Sequence, residues 1–253
     1  MKTQFMSKVF LAAAVLFMMF NTSCKKKSDS SPVTCTSCVT TPDAKAAYDA
    51  SSKGVYKGTV VGSSGTIKFD IGNNDSTITA TMVIDGTTVV LTASVKWASG
   101  VAYVSSFTGT LNGSPVSITF SVGVDGTDPT VTAINIPGHP GAVLSVSKET
   151  STNLIMVFEG TYTDVSGGSD KGTFDLFLSK GLKVWKVNYK SSVDSSMGEI
   201  PGTFDPSNNT LNFDDGHGTT IKGTLASDKI DGTYNGPATS GTKSGTWTCK
   251  RTL

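Results

Sequence analysis

Two histidines, three glutamates and four cysteines are all that this chain offers, beyond its aspartates, for metal binding or thiol chemistry. His217 lies in Asp214-Asp215-Gly216-His217-Gly218, where two carboxylates adjoin an imidazole, the densest set of cation ligands in the sequence. A calcium loop of the EF-hand kind spaces its oxygens at alternate positions and ends in Glu, which this run lacks. Turns also collect Asp, Gly and His without an ion, so no metal is assigned. His139 sits in a second turn, Pro137-Gly138-His139-Pro140-Gly141. Gly62-Ser63-Ser64-Gly65 lacks the spacing of a nucleophile elbow and has no helix behind it. Glu149, Glu159 and Glu199 are isolated, so a carboxylate pair for glycoside hydrolysis must draw on aspartates, and these fall mostly in turns. No catalytic residue and no cofactor is assigned on this inventory, and the reading is non-enzymatic.

The amino terminus fixes an address. Lys2 and Lys8 precede twelve unbroken apolar residues, Val9 to Phe20. A bilayer-spanning helix needs roughly 20, whereas a signal-peptide core needs about 7–15. Thr22 and Ser23 are small, and Cys24 follows. The stretch FNTSCKKK resembles a lipobox, and the Ser-rich run after it resembles the lipoproteins of Bacteroidota, although Asn21 stands where Leu is commonest. That resemblance implies cleavage before Cys24, lipidation of Cys24, and stable anchoring, because two or more acyl chains hold a protein on a membrane where one does not. Lys25, rather than Asp, after the cysteine implies the outer membrane, with the periplasmic and exterior sides both open.

Charge narrows the partners. Without Lys2 and Lys8 the 21 Lys and Arg become 19, against 20 Asp and Glu, and Arg251 is the only arginine. Nucleic-acid binding requires a basic face and bidentate phosphate recognition requires arginine, so nucleic acid is excluded as a partner. Cys35-Thr36-Ser37-Cys38 is a C-x-x-C outside the strand-then-helix setting that a redox motif needs. An exported chain permits disulfides. Cys249 shares strand parity with Trp247, which favours a Cys35–Cys38 ring with a free core thiol at Cys249; pairing of Cys249 with a tether cysteine is the alternative.

The elements that must position any site are strands. Residues 25–41 have too little apolar area to fold, and Thr41-Pro42-Asp43 reads as the start of a two- or three-turn helix. From Gly54 onward the period is two. Ile67, Phe69 and Ile71 alternate with Thr66, Lys68 and Asp70. Val89, Leu91, Ala93, Val95 and Trp97 alternate with Val90, Thr92, Ser94 and Lys96. One apolar and one polar line mark half-buried, mostly antiparallel strands, and turns such as Asp85-Gly86, Asn112-Gly113 and Asp215-Gly216 separate them as hairpins. The fold class is all-β, an antiparallel meander in two small barrel- or sandwich-like halves after a short helix.

Glycine followed by Thr and a large apolar residue recurs at Gly65, Gly160, Gly172, Gly202, Gly232 and Gly245. The expectation is a bend or bulge at each strand's mouth with an aromatic planted inward. The interval of 106 between Gly54 and Gly160, and of 107 between Gly65 and Gly172, suits duplication, as it suits the echoes of any Gly/Thr-rich β-protein. The expected organisation is a signal peptide over 1–23, a lipidated tether over 24–41, a first half over 42–152 and a second over 153–253. In Asn153–Gly160 both faces are apolar and Phe177 breaks a polar line, so Ile155, Val157 and Phe177 are expected to be buried between the halves.

The Gly-Thr-aromatic meander loosely resembles calycin-type barrels. That resemblance implies a lumen for a small apolar ligand, bordered by inward aromatics such as Tyr56, Trp97, Phe120 and Trp185. The rival reading is a solid β scaffold whose loops or wet faces contact glycan or another envelope protein, since alternating inward lines suit a packed core equally well.

Overall fold

The computed structural model describes residues 33–74, 77–237 and 241–253. The signal peptide, Cys24 and the start of the tether lie outside these residues. The strands form two sets of eight. The first comprises β1 (Gly54–Val61), β2 (Gly65–Ile71), β3 (Ile78–Ile84), β4 (Thr87–Ala93), β5 (Tyr103–Leu111), β6 (Ser114–Val122), β7 (Thr130–Asn135) and β8 (Val143–Glu149). The second comprises β9 (Met156–Asp164), β10 (Lys171–Ser179), β11 (Val184–Ser191), β12 (Met197–Asp205), β13 (Thr210–Asp214), β14 (Thr220–Ala226), β15 (Lys229–Pro237) and β16 (Thr242–Arg251). All pairings are antiparallel. In the first set β8 returns to pair with β1, leaving β7 and β8 as unpaired edges of a nearly closed barrel; in the second, β16 pairs with β9 and closure is complete. The protein is all-β, built as two eight-stranded barrel-like halves.

Residues 42–53 do not make the expected two- or three-turn helix. A single 3-10 turn forms at Ala46–Tyr48. The preceding backbone is committed elsewhere: Asp43 N–H donates to Glu149 Oε1 at 2.7 Å and Lys45 N–H to Asn73 Oδ1 at 3.1 Å. The first N–H groups of a helix need no partner within it, so the bond from Asp43 alone would permit one; the chain departs at Lys45, which is extended (φ −90°, ψ 140°) with its N–H held by Asn73.

The first barrel is filled. Phe69 stacks on Phe120 at 4.5 Å between centroids, Phe107 meets Phe69 edge-on at 5.1 Å, and Tyr56 meets Phe120 at 5.0 Å. Eight strands leave an interior that side chains can just fill. One expected strand is shorter than its alternation suggests. β4 stops at Ala93: Ser94 N–H is shared between Ser106 O (3.0 Å) and Ser105 Oγ (3.2 Å), and Val95 N–H goes to Ser105 Oγ (3.1 Å), which draws the chain out of the ladder. Val95 is consequently exposed, and Trp97 leaves the strand to seal the barrel's end, its Nε1–H donating to Ser52 Oγ at 2.9 Å beneath the ammonium of Lys53.

The second barrel explains the recurrent glycines. Apart from the β2 entry at Gly65, they lie inside strands, not at bends. Gly160 faces Cys249; the others, with Gly198 from outside the motif, each face an aromatic ring on the next strand: Gly172 opposite Tyr162, Gly198 opposite Tyr189, Gly202 opposite Trp185, Gly232 opposite Trp247 and Gly245 opposite Tyr234. A Cβ on Gly202 would lie 2.2 Å from the Trp185 indole, and one on Gly245 2.4 Å from the Tyr234 ring. The motif pairs reciprocally: Gly232-Thr233-Tyr234 and Gly245-Thr246-Trp247 run antiparallel, and the ring of each covers the glycine of the other. What the fold uses is the missing Cβ, which lets a large ring lie flat against the wall of a narrow barrel. Gly232→Ala would put a methyl 2.2 Å from Trp247 and 2.3 Å from the Lys222 carbonyl oxygen. Such overpacking is expected to cost about 1–3 kcal/mol in urea denaturation; an unchanged midpoint would refute this account of the motif.

Gly58 pairs with Val146 on β8 of its sheet, and Gly160 pairs with Cys249 on β16 of its barrel. Between the halves, β1 packs on β9, β10 and β11, and all eight of its residues are buried. Ile155, Val157 and Phe177 form a separate buried cluster, against which the C-terminal Leu253 packs.

Candidate functional site: a tyrosine cup in the closed barrel

In an up-and-down barrel the hairpin turns alternate between two ends. The turns after β10, β12 and β14 close one end of the second barrel, where Trp185, Phe158, Leu176 and Trp247 fill the core. Described tether residues dock at that closed end. Cys35 N–H donates to Asp228 Oδ2 at 2.9 Å, Asp228 N–H donates to Val33 O at 3.2 Å, and the sole arginine, Arg251, reaches both Asp228 and the Val39 carbonyl.

Among the described residues the other end is open. A cup of about 290 Å³ enters it, lined by Tyr162, Tyr189 and Tyr234 with Phe174, Ile200 and Ile221 below them and Asp170, Thr219 and Lys243 at the rim. The reason is the glycine pairing just described. Each of the three tyrosine rings lies back over a glycine on its neighbouring strand, so the rings line the wall and the middle stays open. Tyr162 is the centre of the set, edge-on to Tyr189 at 6.3 Å and to Tyr234 at 6.0 Å. Phe174 is the floor and stacks at 4.7 Å on Trp247 beneath it.

The rim is polar and organised. Asp170 Oδ1 accepts the Tyr162 hydroxyl at 2.9 Å and the Ser191 hydroxyl at 2.8 Å, while its other oxygen pairs with Lys243. Against the opposing effect of partial burial, these bonds hold the Asp170 carboxyl below its ordinary range, and its negative charge raises Lys243. Burial first, then the charges of Asp164 and Asp170, push the Tyr234 phenol up to about 12, and burial with the bond to Asp170 raises Tyr162 as well. The phenols of Tyr162 and Tyr234 therefore stay neutral near pH 7. Tyr234 Oη is buried without a partner among the described residues, a hydrogen-bonding group inside an otherwise aromatic cup.

The residues singled out from sequence lie elsewhere. Tyr56 and Phe120 belong to the filled core of the first barrel, with Tyr56 Oη–H donating to Ser52 O at 3.0 Å. Trp97 seals that barrel's end, and Trp185 is buried at the closed end of the second, its Nε1–H on Thr203 O at 2.9 Å. None of the four lines the cup. Cys35 and Cys38 form a disulfide, and Cys249 is a free, buried thiol bonded to Phe174 O at 3.0 Å. Around His217 the carboxylates are occupied by backbone: Asp214 Oδ1 accepts Gly216 N–H, and Asp215 Oδ1 accepts His217 and Thr219 N–H. No group of three or more metal-ligating side chains occurs among the described residues.

One constellation was invisible in the sequence. Ser63 Oγ lies 3.0 Å from His139 Nδ1, and His139 Nε2 lies 3.2 Å from Asp85 Oδ2. The three residues come from three separate turns. The Asp85 side chain is 63% exposed and His139 only 17%, so the carboxylate is not sequestered to hold and polarise the ring as a buried triad aspartate does. Neither the cup nor the larger cleft described below includes Ser63. The set fastens the β1–β2, β3–β4 and β7–β8 turns together beside the barrel's open seam.

No protein-family model and no curated protein matches this chain.

Proposed function

We propose that the chain is a lipid-anchored cell-envelope protein without an enzymatic step, whose second barrel holds a small, largely apolar ligand in the tyrosine cup. The observation that carries this reading is a closed barrel with one end packed solid and the other left open by three tyrosines laid over glycines. At about 290 Å³ the cup is near the lower bound of roughly 300–1,000 Å³ for small-molecule sites. It suits a single ring or a short alkyl chain with one polar group toward Tyr234 Oη, not a long acyl chain. Described tether residues dock at the end opposite the cup. The filled first barrel favours the scaffold reading for that half alone: it carries β1, on which the second barrel rests.

The stack of Phe174 on Trp247 supplies the measurement. Titrating the detergent-solubilised chain with octanoate or an anilinonaphthalene dye should change tryptophan emission saturably. Tyr234→Ala should weaken the response about tenfold or more with the far-ultraviolet strand spectrum unchanged, whereas Trp97→Ala should leave it intact. A non-saturable response, or one insensitive to Tyr234→Ala, would remove the ligand-binding reading and leave the scaffold.

A further inference from the structure

A larger depression lies outside the barrel wall, where the halves meet, and its floor is set by strand register. Across the outward faces of β9, β10 and β11 the side chains stand in rows. Val157, Phe177 and Lys186 form the first; Glu159, Asp175 and Asn188 the second; Thr161, Thr173 and Lys190 the third; Thr163 and Lys171 the fourth, with Ser192 donating through both N–H and hydroxyl to Lys171 O. Glu159 faces Asp175 because the register pairing Phe158 with Leu176 and Thr161 with Thr173 runs through them. The first two rows are covered at β10, where Phe177 is 4% and Asp175 1% exposed. The last two are not, and Gly62, in the turn after β1, overhangs them to leave a cleft of about 490 Å³.

Its chemistry differs from that of the cup. The only charged residues in the lining are Lys171 and Lys190, and neither forms an ion pair among the described residues. Hydroxyls make up most of the rest, from Thr161, Thr163, Thr173 and three serines. Thr173 Oγ1, mid-row, is buried with no partner. It is one of five such side-chain atoms along this junction, with Thr59 Oγ1, Glu159 Oε1, Asp175 Oδ2 and Asn188 Nδ2, out of six among the described residues. Buried polar groups are nearly always bonded, and Thr173 Oγ1, the one of these atoms that belongs to the open rows, marks a place for a bridging polar partner. Strands are about 4.8 Å apart and alternate residues about 6.8 Å apart, so the two open rows cover about 10 by 7 Å, the footprint of a sugar ring with its substituents.

We infer that this junction cleft binds an acidic saccharide, with Lys171 and Lys190 holding its anionic group and the threonine hydroxyls, Thr173 foremost, meeting its ring hydroxyls. A plain anion uses the two ammonium groups and leaves the hydroxyl rows idle; a neutral sugar leaves two cations unpaired. A carboxylate and a phosphate ester satisfy the lysines alike. Tyr162 lines both depressions, but Lys171, Lys190, Thr161, Thr163 and Thr173 belong to this one alone, so binding here does not depend on the cup being a ligand site.

Calorimetric titration of the full mature chain in detergent with glucuronate, glucose 6-phosphate, glucose and inorganic phosphate tests it. One or both acidic sugars should bind saturably, and glucose and inorganic phosphate each about tenfold or more weakly. Lys190→Gln and Lys171→Gln should each lower the affinity about five- to tenfold, and Thr173→Val, which keeps the shape, about three- to tenfold. Tyr234→Ala in the cup should change nothing here. Glucose binding as tightly as the acidic sugars would overturn the role of the lysines, and inorganic phosphate binding as tightly would reduce the site to an anion patch. No saturable heat from either acidic sugar would overturn the proposal outright.

Discussion

Asp175→Asn is expected to flatten most of the pH dependence of folding stability between pH 5 and pH 9 and to make the protein more stable than the wild type at pH 9. Asp175 is 1% exposed on the outward face of β10, and it receives only the Gly160 N–H, at 3.4 Å. Burial, reinforced by the charge of Glu159 opposite, pushes its carboxyl up to about 8. The surrounding groups do not compensate. Glu159 is itself raised by burial, although it accepts bonds from Thr252 and Gly65. Asn188 on β11 and Thr59 on β1 are neutral, Lys57 on β1 is bound to Glu149, and Lys250 on β16 pairs with Glu159 from the far side and is exposed. An acid with a raised folded pKa keeps, in the folded state, a proton that the unfolded chain releases above about pH 4. Its contribution is complete below that pH and lost as pH climbs to about 8, at about 1.4 kcal/mol per unit, on the order of 5 kcal/mol in all. Asparagine has the same shape and no proton to lose. Urea denaturation at several pH values reads the slope directly; a wild type whose stability stays level across this range would show that Asp175 ionises freely.

The second large effect concerns Lys57 and Glu149, whose side chains are both fully buried with Nζ 2.6 Å from Oε2. Glu149 joins three segments. It accepts Asp43 N–H at 2.7 Å and Ile155 N–H at 3.0 Å in addition to the ammonium, so the leading segment, β1 and the link into β9 meet on one carboxylate. Lys57→Met strands the Glu149 carboxylate in the core, and Glu149→Gln leaves the Lys57 ammonium with Asp43 Oδ2 at 3.9 Å in place of a carboxylate at 2.6 Å. Lys57→Met and Glu149→Gln should each cost about 3–5 kcal/mol. The double variant should lose much less than the sum of the two, giving a coupling of at least about 2 kcal/mol in a denaturation cycle. Additive losses would mean that the charges do not depend on one another.

Much of this molecule was legible locally. Alternation through Ile67-Phe69-Ile71 and Val116-Ile118-Phe120 specified strands and their inward faces, because side chains along a strand point to opposite sides whatever the strand's neighbours. Parity likewise placed Trp185 and Cys249 inward, and the both-faced apolar run at Ile155–Phe158 marked a strand covered twice. Parity failed where a side chain from elsewhere intervened: nothing local in Val89–Trp97 says that Ser105 will take two of its N–H groups and turn Trp97 out of the strand.

The sites were not legible, for a reason of the same kind. An inward aromatic fills a barrel or lines a cavity according to what stands opposite it on the next strand. Phe120 meets other rings and packs. Tyr234 meets Gly245 and lies against the wall. The recurrent glycines were visible as a motif, but their use appeared only once register set each one under a ring. The junction cleft depends on rows built from β9, β10 and β11 and on a turn at Gly62 about a hundred residues earlier in the chain. By itself the sequence determined which residues face inward. Register and closure, which are long-range pairings, decided where the interior is solid and where it is open.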